Sequence, residues 1–500
     1  MLVFENFIAG RHVAARSGAT LDVIEPATGR AYARVSDSDA ADVDDAVTAA
    51  ESAFPAWRAL PTAERARLLS TLADLIERDL EPLARAESVD SGKPLSVARS
   101  VDIPRAATNF RFFAGAAMHS SSEMHETDSG ATGGRMVGRV HAINYTQRSP
   151  LGVAGLISPW NLPLYLLTWK IAPALAVGNC VVAKPSEVTP ATATMLASLA
   201  SQAGFPPGVI NIVHGRGRPC GSAIVTHPRI SVLSFTGSTP VGRWIAEAAG
   251  AKLKRVSLEL GGKNPFIVFP DADLDTAHAT ALRAAFSNQG QICLCGSRIL
   301  VHRSIFSSFL DRFVAAARAI RMGDPLDPST QHGALVSEPH LEKVHALVRA
   351  ARDLGGRIHC GGERPSLDAL AKWGVPERCH GGFFYPPTVI DGLDPSCRVE
   401  QEEIFGPVVT LQPFDDEDHA LALANGTPYG LAATLFTQDL SRAHRVASKL
   451  EAGLVWVNCW MLRDLRTPMG GFKQSGVGRE GGRHALEFFT EAKNVCIQIA

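Results

Sequence analysis

The sequence predicts an α/β fold built on parallel sheets, and two observations predict it. Short apolar runs alternate with longer amphipathic segments from Val153 onward, and the same alternation resumes after Glu259. In the first half, residues 153–157, 180–183, 209–213 and 232–235 read as strands, with an amphipathic helix over 191–203. In the second half, 265–269 and 298–302 read as strands, and 305–320 and 341–354 as helices. Upstream, 62–87 reads as one helix, capped by Thr62, with Leu68, Leu72, Leu75 and Leu83 on one face and Pro82 kinking or ending it. Residues 120–138 are polar and rich in Gly, Ser and Thr, so they read as an excursion from the core. A chain of 500 residues exceeds one compact core and implies two or three domains, with a junction near 255–262.

Composition narrows the function. Lys plus Arg number 49 and Asp plus Glu 50, with no basic or acidic tail, which argues against nucleic acid or an anionic membrane as partner. The most apolar stretch, 162–182, is interrupted by Pro163, Lys170, Pro173 and Asn179, where a spanning helix needs about 20 cleaner residues. The amino-terminal residues are not apolar enough for a secretory signal, since Glu5 interrupts them. Nine cysteines are scattered without a CxxC pair, so free thiols in a cytoplasmic compartment and no metal site are expected.

Four segments carry candidate chemistry. Asn288-Gln289-Gly290-Gln291-Ile292-Cys293 puts a cysteine after a polar turn, where its thiolate could reach an electrophilic carbon. Cysteines are more often small buried hydrophobes, and spacing alone does not separate Cys293 from Cys295. Glu259 lies between apolar residues before a glycine pair; partial desolvation would raise its pKa toward that of a general base, although a solvated strand-end glutamate is commoner. Asn161, in Pro159-Trp160-Asn161-Leu162-Pro163, suits an oxyanion donor or ordinary turn chemistry. Gly237-Ser238 follows a strand and opens a helix, an arrangement able to receive a pyrophosphate. The literal GxGxxG at Gly476–Gly481 follows no predicted strand and reads as a turn.

These segments in this order, with KPSE at 184–187, EEIFGPV at 402–408 and PMGGFKQSG at 468–476, resemble the aldehyde dehydrogenase superfamily over nearly the whole chain. The resemblance implies a Rossmann-type NAD-binding domain (1–119 and 148–258), an α/β catalytic domain (259–480) and a small β oligomerisation arm (120–147 and 481–500). It makes Cys293 the nucleophile, Glu259 the general base, and Asn161 with the Cys293 N–H the oxyanion hole. Lys184 and Glu187 would hold the adenosine ribose, and Glu403 the nicotinamide ribose beside Phe405, with Trp160, Gly237 and Ser238 also contacting cofactor. A carboxylate at Glu187 bonds a ribose 2′-OH and repels a 2′-phosphate, so NAD is expected over NADP.

The loop Asn458-Cys459-Trp460-Met461-Leu462-Arg463 and the segment Asn109-Phe110-Arg111-Phe112-Phe113 resemble the branch acting on 2-amino- or 2-hydroxymuconic 6-semialdehydes. Such substrates carry a carboxylate remote from the aldehyde, for which arginine is the usual clamp. Arg111 and Arg463 are therefore the expected pair, with Arg105 and Arg466 as weaker candidates and a surface ion pair as the plain alternative. Betaine or aliphatic aldehydes, a CoA-acylating reaction, esterase activity and a non-catalytic binding role are the competing readings. A homodimer or homotetramer is expected from the resemblance.

Overall fold

The apolar runs between residues 153 and 259 assemble around Val153–Ile157 in a computed structural model that describes residues 1–128 and 141–499. From this central strand the chain moves to Cys180–Lys184 and Ile210–Ile212 on one side. It then returns to lay Val232–Thr236 and Arg255–Glu259 on the other. All five are parallel, which buries both faces over most of their length and explains their largely apolar character. The reversal opens a crevice beyond the carboxyl ends of Val153–Ile157 and Val232–Thr236, where open α/β sheets take their ligands. Antiparallel strands Asn6–Ile8, Arg11–Val13 and Gly476–Val477 complete an eight-stranded sheet among the described residues.

The helix Pro163–Ala176 starts from this crevice, and all its residues are buried. It packs against Ile103–Met118 and Thr62–Arg78. Lys170 is tolerated inside because its ammonium donates to Ser234 Oγ and Glu480 Oε1, both at 2.9 Å. Among the described residues, no helix is long and apolar enough to cross a membrane.

A second sheet begins with Pro265–Val268 and Arg298–His302 and is parallel apart from its edge strand Arg357–Cys360. A third, antiparallel sheet joins Met124–Asp128, His141–Pro150 and Thr490–Gln498. The expected excursion thus contains a strand, and its residues 129–140 lie outside the described ones.

Two expectations need correction. The helix expected over 62–87 is two helices, Thr62–Arg78 and Leu80–Ser91, broken at Asp79 and not at Pro82. Pro82 falls in the first turn of the second helix, where no N–H is required, and Thr62 is the first helical residue with no side-chain cap. The segment at 476–481 is more than a turn. Gly476–Val477 pairs with Arg255–Glu259, so this part of the span assigned to the catalytic unit belongs to the first sheet. Only glycine permits it, because Gly476 has φ +154° and a Cβ there would lie 2.2 Å from the Leu258 carbonyl oxygen.

Candidate active site

Trp160, Asn161, Gly237, Ser238, Cys293, Glu403 and Phe405 line a single cleft, with His340 and Lys343 on its wall. The switch in strand order supplies the first four. Residues 158–161 continue Val153–Ile157, and Gly237-Ser238 continue the neighbouring Val232–Thr236.

Cys293 is delivered by a turn in the left-handed region. Asn288, Gln289 and Gly290 have φ of +50°, +54° and +70°. A Cβ on Gly290 would lie 2.0 Å from the Gly406 carbonyl oxygen. Non-glycine residues there cost of order 1–3 kcal/mol each unless the surroundings hold them. The holding is visible. Gln289 donates to the Gly92 and Ala334 carbonyls at 3.1 and 2.8 Å, and Gln291 Oε1 accepts from Val336 N–H at 3.1 Å. Asn264 Nδ2 donates to the carbonyls of Cys293 and Cys295 at 2.7 and 2.8 Å, pinning the backbone that carries the Cys293 thiol. Cys295 is buried, whereas Cys293 is half-buried and faces the cleft. Burial pushes the Cys293 thiol well above the usual range, and Glu403 and Glu259 add to this.

Asn161 is fixed at both its amide and its backbone. Its Nδ2 donates to Gln291 O at 2.9 Å, which leaves its second N–H for another acceptor. Its own carbonyl accepts from Asn288 Nδ2 and from Lys93 Nζ, each at 3.0 Å. Lys93 is fully buried between Glu87 at 3.3 Å and Asp102 at 2.5 Å. Lys93→Met should therefore strand two buried carboxylates and cost about 3–5 kcal/mol of stability, measurable by urea unfolding. An unchanged unfolding midpoint would show that the triad does not support the site.

Glu259 ends its strand fully enclosed, and neither carboxylate oxygen has a hydrogen-bond partner among the described residues. Burial, and then Glu480, push it up to about 8, against the opposing charges of Lys170, Arg463 and Arg479. It is not part of the cleft lining above, but its charge acts on the Cys293 thiol. A carboxyl group with free oxygens and this pKa can take a proton from water near neutral pH.

The cofactor candidates fall at two places. Ser238 occupies the N-cap of the helix Thr239–Gly250 without capping it, so its hydroxyl and the first-turn N–H groups remain for a phosphate. Gly237 has no alternative, since a Cβ would meet the Phe235 ring at 2.4 Å. Lys184 and Glu187 pair at 3.2 Å beyond the strand Cys180–Lys184, away from the nucleophile. On the other side, Glu403 Oε1 accepts from Gly262 N–H at 3.0 Å, and a Cβ on Gly261 would strike the same carboxylate at 2.3 Å. The glycine pair 261–262 is thus the space that admits Glu403. This donor set fits a dinucleotide: a carboxylate and ammonium of the kind that can bond a ribose, a helix start able to take phosphates, and a second carboxylate beside an aromatic ring.

The two arginines expected to bind substrate differ in their bonding. Arg463 extends toward the site, with Nη1 3.5 Å from Tyr165 Oη and its guanidinium 5.8 Å from the Trp169 ring, and its charge acts on Cys293 and Glu259. Arg111 lines an open surface pocket together with Arg463, but its guanidinium also bonds Asp74 at 2.8 Å and Glu77 at 2.5 Å on the helix Thr62–Arg78. Arg105 lies on another face, stacking 5.0 Å from the Tyr165 ring and 5.5 Å from that of Trp169. The reason is helical period. Arg105 and Asn109 share a face, bonded to each other at 2.9 Å, while Arg111 lies about 200° round the helix from Asn109. Arg466 is spent on Asp464 at 2.5 Å.

Sequence reasoning missed Lys93, Asn264, His340 and the Lys170–Glu480 pair. Their partners are distant in sequence, and only the i, i+4 spacing of Arg105 and Asn109 offered a local signal.

Comparisons with known proteins agree with this geometry. A model of the "Aldehyde dehydrogenase family" matches residues 12–495. The chain is 51% identical over 497 residues to 2-aminomuconic semialdehyde dehydrogenase of Danio rerio, covering 99% of this chain and 98% of that protein. It is 46% identical to 2-hydroxymuconic semialdehyde dehydrogenase of Pseudomonas sp. (strain CF600), covering the whole of both. The crystal structure of PnpE in complex with nicotinamide adenine dinucleotide superposes with a TM-score of 0.93 at 44% identity, covering 99% of this chain and 97% of that one. A crevice that gathers a cysteine, an asparagine amide and a dinucleotide-type donor set, on a chain matched from end to end, has one explanation: this chain belongs to the aldehyde dehydrogenase family.

Proposed function

We propose that this enzyme oxidises a muconic semialdehyde, 2-amino or 2-hydroxy, to the corresponding dicarboxylic acid, with NAD as hydride acceptor. The observation that carries the substrate class is the pair Arg105 and Arg463. Both turn toward Tyr165 and Trp169, and among the described residues neither is in an ion pair. Two guanidinium groups near each other, one of which acts on the Cys293 thiol, suit a substrate with a carboxylate at its far end, and they oppose a cationic substrate such as betaine aldehyde. The names of the relatives point the same way.

In this reading the Cys293 thiol passes its proton to water, and its Sγ forms a C–S bond to the aldehyde carbon as the C=O π bond opens onto oxygen. The free N–H of Asn161 and the Cys293 backbone N–H stabilise the resulting thiohemiacetal oxyanion. Bound NAD supplies the acceptor for the hydride leaving that carbon. A Cys293 thioester remains. Glu259 takes a proton from water, the hydroxide adds to the thioester carbonyl, and the acid departs as the C–S bond breaks. NADH absorbance on mixing protein, NAD and semialdehyde tests the reading, and its absence with every aldehyde offered would refute it.

Glu187, about 30% exposed beside Lys184, would set the preference for NAD by repelling a 2′-phosphate. Glu187→Gln should lower the ratio of kcat/KM for NAD over NADP by roughly tenfold, since an uncompensated charge contact is removed. An unchanged ratio would place the discrimination elsewhere.

A homodimer or homotetramer and a cytoplasmic setting complete the proposal. The strand Thr490–Gln498 is an edge of its three-stranded sheet, which suits pairing with another chain, and all nine cysteines are free.

A further inference from the structure

We propose that His340 is a positioning residue for the nicotinamide side of the cleft, holding Phe405 in its left-handed conformation and locking it against Trp160. The inference rests on the NAD-dependent reading above and deepens it.

The helix Glu338–Asp353 begins at this wall, with Ser337 as its cap. His340 Nε2 lies 2.7 Å from the Phe405 carbonyl oxygen. A carbonyl only accepts, so Nε2 carries the hydrogen. One turn further along the same helix, Lys343 Nζ donates to the Glu403 carbonyl at 3.2 Å. The helix thus holds two carbonyls of the 403–405 loop, while the Glu403 carboxylate is held from the opposite side by Gly262 N–H at 3.0 Å.

Phe405 needs such support. Its φ is +62°, which a bulky L-residue adopts only under constraint. The His340 bond is the one recorded for its carbonyl, and its loss would leave a strained residue free to relax. The imidazole also reaches the first domain. It packs edge-on to Trp160 with centroids 5.1 Å apart, and Trp160 meets Phe405 edge-on at 5.3 Å and 88°. His340 therefore ties the loop after Val153–Ile157 to the loop carrying Phe405, across the crevice. Burial pulls its pKa down to about 4, so the ring remains neutral under working conditions.

The test compares two ligands on the full-length protein. NADH spans the cleft, whereas AMP carries only the adenosine end. His340→Leu should weaken NADH binding about tenfold, as for the loss of one buried hydrogen bond, and leave AMP affinity within about twofold. His340→Gln, whose amide can donate from a similar position, should restore most of the NADH affinity. In turnover, His340→Leu should raise KM for NAD more than it lowers kcat. NADH titration by fluorescence, AMP titration by calorimetry and thermal unfolding give the readouts. Equal weakening of NADH and AMP would show general damage to the cleft and overturn the proposal, as would His340→Leu binding NADH like the wild type, or His340→Gln failing to rescue. If the wild-type protein binds no NADH, the NAD-dependent reading falls first, and that outcome is distinct from the others.

Discussion

The Glu259→Gln enzyme is expected to release about one NADH per active site and then nearly stop. The amide cannot accept a proton from water, so the Cys293 thioester accumulates. Loss of a positioned general base lowers steady turnover by roughly 10²- to 10⁴-fold. Stopped-flow absorbance gives the burst, and mass spectrometry of the quenched protein should find the acyl group on Cys293. A steady-state rate equal to wild type would remove Glu259 from the mechanism. The pH dependence follows from the same group. Burial and the neighbouring Glu480 raise its pKa to about 8, so the working carboxylate is the minor form at neutral pH. Wild-type deacylation should climb with pH, reach about half its maximum near pH 8 and level off above it, and this limb should vanish in the variant. Linkage has the opposite sign. The folded protein holds this proton more tightly than the unfolded chain, so unfolding stability from Glu259 is greatest at low pH. It declines as pH rises from the ordinary carboxylate range toward 8. Glu259→Gln should therefore gain stability relative to wild type over that interval, even as it loses turnover.

The legible parts of this chain are those whose cause is local. The strands Val153–Ile157 and Arg298–His302 were readable to the residue, because a parallel strand buried on both faces has a short apolar centre with abrupt ends. The helix Ala191–Ala203 was equally readable from its periodicity. The break at Asp79 was not, because Pro82 drew attention to itself although proline is harmless in a first turn. The candidate reacting groups lie in extended motifs, whereas no local signal marks what supports them. Gln289 and Phe405 carry positive φ without being glycine, and no composition signal marks that. Lys93 reaches the Asn161 carbonyl across 68 positions, and Asn264 reaches Cys293 across 29. The ion pairs of Arg111 were illegible for the same reason, since the acids that bond it lie on another helix.

The arginines generate the second large effect. Arg463→Ala and Arg105→Ala should each raise KM for a semialdehyde acid by roughly 10- to 100-fold, the scale of a lost hydrogen bond to a charged group, while a neutral aldehyde of similar length changes by about twofold at most. Arg111→Ala should leave both substrates nearly unaffected, because its guanidinium is already bonded to Asp74 and Glu77 at the surface. The two clamp residues are unequal in setting. Burial, together with the charge of Arg463, lowers the Arg105 pKa, so the two cations repel each other in a poorly solvated place. A carboxylate bound near both relieves that repulsion, which is why the pair discriminates between acids and neutral aldehydes more sharply than one arginine could. Removing either arginine also relieves it, so the double variant should lose less than the product of the single losses. Lysine at either position should rescue poorly, because a point charge cannot stack on Tyr165 and Trp169 while presenting a two-pronged donor. Steady-state kinetics of the single and double variants with one acid and one neutral aldehyde decide the matter. Equal KM changes for the two substrates would dismiss the clamp, and a large effect of Arg111→Ala would return the site to the pair expected from sequence.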